Sequence, residues 1–143
     1  MDNYMKLIIK AIPANESFAR SVVASFATQC DPTIDVLNDI KTAVSEAVTN
    51  CIVHAYLNSE KGEILIEGYI YNDVLTLSIC DYGLGIDNVE KAMEDFYTTK
   101  EGDERSGLGF TIMKTFMDEL SVSSEKGAGT TVNMKKKLKN VND

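Results

Sequence analysis

Apolar positions along the first third of the chain follow two different spacings. Tyr4 to Ile12 reads as a strand that stops at Pro13, where a fixed φ and a missing N–H end the ladder. Asn15 then stands as an N-cap. Over Glu16 to Gln29, Phe18, Val22 and Phe26 recur at i, i+4 and i+8 beside Ala19, Val23 and Ala27, predicting a helix with one broad apolar face. Asp31-Pro32-Thr33 turns the chain. A long helix to about Tyr56 follows, with Leu37, Ile40, Val44, Ala47, Val48, Cys51 and Ile52 on its buried side.

Asn58 to Gly62 is a turn by composition, after which Glu63 to Tyr71 and Val74 to Cys80 read as strands joined by Asn72-Asp73, a hairpin. Asp81 to Gly85 interrupts the pattern with two glycines. Asp87 to Asp95 is expected as a short helix, Tyr97 to Ser106 as a polar, mobile loop, and Gly107 to Leu120 as a helix. Ser121 to Lys126 and Thr130 to Lys137 flank Gly127-Ala128-Gly129 as a second hairpin. The order strand, helix, helix, hairpin, helix, hairpin predicts an α+β fold: a two-layer α/β sandwich with the helices on one face of a mixed, mainly antiparallel sheet. One domain is expected over residues 1–137, followed by a polar tail over residues 138–143.

Charge narrows the classes of partner. The 143 residues carry 14 Lys and Arg against 22 Asp and Glu, a net charge of −8, with 44% hydrophobic residues. An acidic surface argues against an electrostatic grip on nucleic acid or anionic lipid. The basic run Lys135-Lys136-Lys137, with Lys139, is therefore expected as a soluble strand end. The longest stretch free of Asp, Glu, Lys and Arg, Ala47 to Ser59, has 13 residues, too few to span a bilayer, and the N-terminus lacks a cleavage pattern. A cytoplasmic location is the expectation. Cys30, Cys51 and Cys80 lack metal-ligand spacing and are expected as reduced, mostly buried thiols.

Four constellations could carry chemistry, each with a plainer alternative. Glu46, Asn50 and His54 are spaced by four on the long helix and stack on one face. A carboxylate could act as general base and an amide oxygen could ligate Mg²⁺, although a solvated polar face would look the same. In Asp81-Tyr82-Gly83-Leu84-Gly85 a carboxylate follows a strand, and the glycines let the backbone approach a flat ligand; a tight strand-exit turn is the alternative. Gly107-Leu108-Gly109 opens a helix after Arg105 and Ser106, leaving backbone N–H groups for phosphate or simply a Gly-rich helix start. Gly127-Ala128-Gly129-Thr130 reads by itself as a hairpin turn. Arg20, one turn after Glu16, reads first as an exposed i, i+4 ion pair.

In that order the four elements match the N box and the three glycine boxes of the GHKL superfamily, which includes gyrase, histidine-kinase and MutL ATPase domains. More closely, NESFAR, IKTAVSEAVTNCIVHAY, DYGLGI, FYTTK, ERSGLGFTIMKTFMDEL and GTTV resemble the sporulation anti-sigma F factors, a family of serine kinases, over nearly the whole chain. The resemblance implies that Glu46 is the general base and Asn50 the Mg²⁺ ligand. It implies that Asp81 receives the adenine amine, with Gly83 and Gly85 holding the loop near the base and Thr130 beside it. It makes about Phe96 to Ser106 an ATP lid, with Lys100 and Arg105 as candidates for γ-phosphate charge, and gives Gly107 and Gly109 amides that reach the phosphates. ATP and ADP with Mg²⁺ are thus the implied ligands. A sigma factor and an anti-anti-sigma factor carrying the acceptor serine are the implied partners, with Arg20 contacting each in turn, and a homodimer is the implied assembly. The competing function is a nucleotide-gated binding module without transfer, against which Glu46 argues, since binding alone needs no base. A detached histidine-kinase catalytic domain would expect its acceptor His on a separate helix, whereas His54 is the one histidine and lies inside the N box.

Overall fold

The computed structural model describes residues 2–94 and 104–139, with backbone alone over residues 104–107. In chain order the elements are β1 (Asn3–Lys10), α1 (Ala14–Ala27), α2 (Ile34–Asn50), β2 (Glu63–Tyr71), β3 (Val74–Asp81), α3 (Val89–Ala92), α4 (Glu104–Phe116), β4 (Glu119–Glu125) and β5 (Gly129–Lys137). The strands form one sheet in the order β1-β2-β3-β5-β4, and every pairing is antiparallel. This is the expected two-layer α+β arrangement, with the antiparallel character extending across the whole sheet.

Strand alternation decides which face is covered. Ile64, Ile66 and Ile70 of β2, Leu75, Leu77 and Ile79 of β3, and Val132 and Met134 of β5 are buried on the inner face. The helices pack there, with Val23 and Ala27 of α1, Ile40, Val44 and Val48 of α2, and Met113 of α4 in the same core. Each fully buried Ile, Leu or Val side chain contributes about 2 kcal/mol, before the entropy of ordering it is counted. On the outer face Tyr4, Ile8 and Tyr71 remain exposed.

Several boundaries differ from the sequence expectation, each for a physical reason. Helix α1 begins at Ala14 with Pro13 at the cap position, because a proline needs no N–H there and has its φ preset for the helix. The Asn15 amide instead donates to the Lys10 carbonyl at 2.8 Å, tying the helix to the end of β1. Ala19, Val23, Phe26 and Ala27 form the buried stripe, and Phe18, expected inside, is 48% exposed. Thr33 caps α2, its hydroxyl accepting from the Val36 N–H at 3.2 Å. After Asn50 the long helix loosens into one π turn, Cys51–Ala55, closed by the Tyr56 N–H on the Cys51 carbonyl at 3.1 Å. Helix α4 runs Glu104–Phe116 rather than Gly107 to Leu120, because Leu120, Val122 and Ser124 alternate inward and the period of two wins from Glu119 onward.

The β2–β3 hairpin turns on Asn72 and Asp73, both left-handed at φ 53° and 59°, as a tight two-residue turn requires. Within the basic run Lys135 and Lys137 face outward, but Lys136 points inward. Its Nζ donates to Asp39 Oδ2 at 3.1 Å and to the Phe116 carbonyl at 2.6 Å, joining β5 to α2 and to the end of α4. The expected soluble strand end is therefore partly a structural tie, made by a cation at a helix C-terminus. Leu138, just past β5, is buried, and its N–H donates to the Asp73 carbonyl at 2.7 Å. Among the described residues no helix is long and apolar enough to cross a membrane.

Candidate functional site

A cavity of about 600 Å³ opens where the end of α2, the loop after β3 and the β4–β5 hairpin meet. Asn50, Asp81, Gly85 and Thr130 line it, together with Cys51 and His54. Four of the residues chosen from the sequence therefore converge, although they lie as far apart in the chain as Asn50 and Thr130.

One end of the cavity is floored by the sheet. Asp81 of β3 pairs in register with Thr130 of β5, which pairs with Ser124 of β4, so three polar side chains stand side by side on the inner face at this end of the sheet. Asp81 is only 4% exposed. Its carboxylate accepts the Gly83 N–H at 3.0 Å, with the Cys51 thiol and the Thr130 backbone as neighbours that favour its charged form. Burial pushes the Asp81 carboxyl above the ordinary carboxylate range, outweighing the opposite pull of Gly83 and these neighbours. Burial likewise holds the Cys51 thiol well above its usual range, with the Asp81 charge adding to the effect, so Cys51 stays a protonated donor. A buried acceptor facing a cavity suits a flat heterocycle that offers an amine.

The loop after Asp81 is laid down by its neighbours. The Leu84 N–H donates to the Ala55 carbonyl at 3.1 Å, and a Cβ on Gly83 would collide with that same carbonyl. Gly85 adopts φ +77°, and a Cβ there would collide with the Glu125 carbonyl, so only glycine lets the loop lie on the β4–β5 hairpin. The Tyr56 hydroxyl donates to the Glu63 carbonyl at 2.6 Å and accepts the Tyr82 N–H at 2.8 Å, bracing the π turn against β2 and the loop. On the far side the Ser124 hydroxyl accepts the Ile86 N–H at 2.7 Å.

The other end lies between α2 and α4. A Cβ on Gly109 would stand 3.1 Å from both terminal atoms of the Asn50 amide, so this glycine is where α4 comes close enough for Asn50 to face its backbone. Glu46 is half-buried one helical turn before Asn50 and is not among the residues lining the cavity. Gly107 belongs to the first turns of α4, where the Arg105 side chain lies outside the described residues, as does Lys100 with the rest of residues 95–103. Arg20 is not among the residues lining the cavity. Its Nη1 donates to Glu16 Oε1 at 3.1 Å and to Ser45 Oγ at 3.2 Å, so the expected i, i+4 pair exists and also ties α1 to α2 one residue before Glu46.

The donor set at this end fits Mg²⁺ of the kind held through phosphate. Among the described residues no group of three or more His, Cys, Asp or Glu could hold a metal, but one amide oxygen suffices when phosphate oxygens and waters complete the octahedron.

Tyr56, Ser124 and Cys51 act on the site without having been singled out as site residues from the sequence. Tyr56 read as a helix end, and Cys51 as a core thiol. Ser124 did carry a signal, since it stands two residues after Val122 and four after Leu120, a hydroxyl at an inward position of an apolar alternation.

Comparison with known proteins gives the family and the fold to which this chain is similar. Residues 9–136 match the family described as histidine kinase-like ATPase domain. The anti-sigma F factor of Clostridium beijerinckii is 56% identical over 137 residues, covering 96% of each chain. That of Clostridium acetobutylicum is 50% identical over 143 residues, covering all of this chain and 99% of the relative. Among solved structures, the RsbU and RsbW domains of a Mycobacterium tuberculosis protein superpose with a TM-score of 0.67 at 17% identity, over 95% of this chain and 32% of that longer one. The catalytic domain of the histidine kinase ThkA gives 0.60 at 15% identity over 95% and 96% of the two chains; at such identities the likeness concerns the fold.

Proposed function

Because the chain belongs to the anti-sigma F factor family within the histidine kinase-like ATPase domains, we propose that it holds a sporulation sigma factor inactive and, as an ATP-dependent serine kinase, phosphorylates a serine of an anti-anti-sigma factor. The observation that carries the reading is the convergence of Asn50, Asp81 and Thr130 on one cavity, with Glu46 a helical turn away.

In this reading the base lies over Asp81 and Thr130, and the phosphates run toward Asn50 and the first turns of α4. Asp81 accepts from the exocyclic amine, and the loop over Gly83 and Gly85 closes on the ring. The Asn50 amide oxygen would hold Mg²⁺, which supplies charge neutralisation for the phosphate oxygens. Helix α4 starts at Glu104 rather than at Gly107, so the Gly109 N–H is spent inside the helix, and the N–H groups of its first turn up to Gly107, with the cations Lys100 and Arg105, add to that neutralisation. Glu46 accepts the proton of the substrate serine as its oxygen bonds to the γ-phosphorus and the bond to the β-phosphate oxygen breaks, releasing ADP. Arg20 serves the partners. Its side chain is 39% exposed, and the guanidinium has donors beyond those spent on Glu16 and Ser45. The exposed Tyr4, Ile8 and Tyr71 of the outer sheet face support a homodimer through that face.

The test incubates the protein with Mg²⁺, γ-labelled ATP and a candidate anti-anti-sigma factor. Acid-stable label on a serine is expected. Absence of label alongside demonstrated ATP binding and sigma-factor capture would leave a nucleotide-gated binder in its place.

A further inference from the structure

The hydroxyl of Ser124 makes three contacts that constrain its one proton. It accepts the Ile86 N–H at 2.7 Å, it lies 3.0 Å from the Gly129 carbonyl, and it lies 2.8 Å from the Thr130 hydroxyl. A carbonyl oxygen only accepts, so the serine proton goes to Gly129. A serine oxygen has two lone pairs, of which the Ile86 N–H takes one. The other receives the Thr130 proton, and Thr130 is left with no proton to offer the cavity. Asp81, its in-register neighbour, is a carboxylate and also only accepts.

We propose that Ser124 is a specificity-determining residue: by engaging the Thr130 proton it makes the base end of the cavity an all-acceptor surface, which takes a purine with an exocyclic amine and rejects one with a carbonyl at that position. The proposal rests on the nucleotide reading above and adds to it the residue that sets the sense of the hydrogen bonds. Ser124 reaches the base only through Thr130 and is therefore a positioning residue. Its side chain does a second task at the same time, since the Ile86 N–H anchors the loop that follows Gly85 to the edge strand β4.

Removing the hydroxyl separates the two tasks. In Ser124→Ala the Thr130 hydroxyl regains its proton and can turn it toward the cavity, where it donates to a carbonyl on the base. Loss of the loop anchor alone weakens all purine nucleotides alike, whereas loss of polarity changes their ratio. Affinities for ATP and for inosine triphosphate, which carries a carbonyl in place of the amine, are to be measured by calorimetry for wild type, Ser124→Ala and Ser124→Thr. The wild type is expected to favour ATP. In Ser124→Ala that preference narrows about tenfold, the effect of one hydrogen bond changing sense, and Ser124→Thr restores it. If both nucleotides weaken by the same factor in Ser124→Ala, Ser124 is only a loop anchor and the proposal is overturned. A wild type that binds both equally overturns it while leaving the nucleotide site intact; one that binds neither removes the underlying reading as well. Should Ser124→Ala not fold, Thr130→Val, which deletes the acceptor itself, is expected to narrow the same ratio, and an unchanged ratio there counts against the proposal.

Discussion

Around Asp81, at one end of the cavity, separate chain segments are stapled together by hydrogen bonds to a carboxylate and through half-buried hydroxyls, whereas at the other end two helices pack and Asn50 lies against the backbone of Gly109. The first arrangement is directional, so one lost atom reorients a loop. The second depends on volume and helix position, so an added atom matters more than a lost bond. In the proposed nucleotide reading the first end recognises the base and the helical end presents groups along the phosphate chain.

The largest effect is expected from Asp81→Asn. It exchanges an acceptor for a donor on the base and should weaken ATP by about ten- to a hundredfold, given roughly 1.5–3 kcal/mol for a hydrogen bond to a charged group. Its stability should behave in the opposite sense. The folded-state carboxyl lies above its unfolded value, so the contribution of Asp81 to stability is fully present below the unfolded pKa and is lost as pH rises through the folded one. At neutral pH the free protein should therefore lose nothing from Asp81→Asn, and thermal melts between pH 4 and 8 with and without ATP check both halves.

Next is Lys136→Met, which leaves Asp39 and the Phe116 carbonyl without their cation. A cost of about 2 kcal/mol is expected in denaturant unfolding, with ATP affinity nearly unchanged because the tie lies away from the cavity lining. Tyr56→Phe removes one donor and one acceptor at the loop. ATP should bind about tenfold more weakly, with kcat for transfer unaffected; a fall in kcat at saturating ATP would break the division of labour between the two ends. The smallest effect is assigned to Gly109→Ala, whose methyl group would push on Asn50. A few-fold loss of the Mg²⁺ dependence of ATP affinity is expected, with little change in affinity for ATP without the metal.

Legibility from sequence divides along the same line. The strands of the inner face were readable because isoleucine and leucine alternate in Glu63–Tyr71 and Val74–Asp81, and the Asn72-Asp73 turn named its own geometry. Asp81, Gly85 and Asn50 were singled out by residue type together with the family resemblance, and all three line the cavity. What escaped depends on contacts distant in sequence. Tyr56 looks like the end of a helix until its hydroxyl meets Glu63 and Tyr82, and Lys136 looks like one more surface lysine until β5 lies beside α2 and α4. The turn from helix to strand at Glu119 was also missed, because Gly107 to Leu120 keeps helical spacing until edge pairing with β5 overrides it.

The central claim is that nucleotide recognition rests on Asp81 in the cavity and transfer on Glu46, one helical turn beyond Asn50, and the most direct measurement compares Glu46→Gln with Asp81→Asn in the same labelled-ATP assay, with nucleotide affinity determined for each. Glu46→Gln should keep ATP affinity within about twofold and lose transfer by a hundredfold or more, the scale of a missing general base, while Asp81→Asn should lose affinity and recover transfer as ATP is raised. Full transfer by Glu46→Gln, or a loss in Asp81→Asn that saturating ATP fails to restore, would contradict the account.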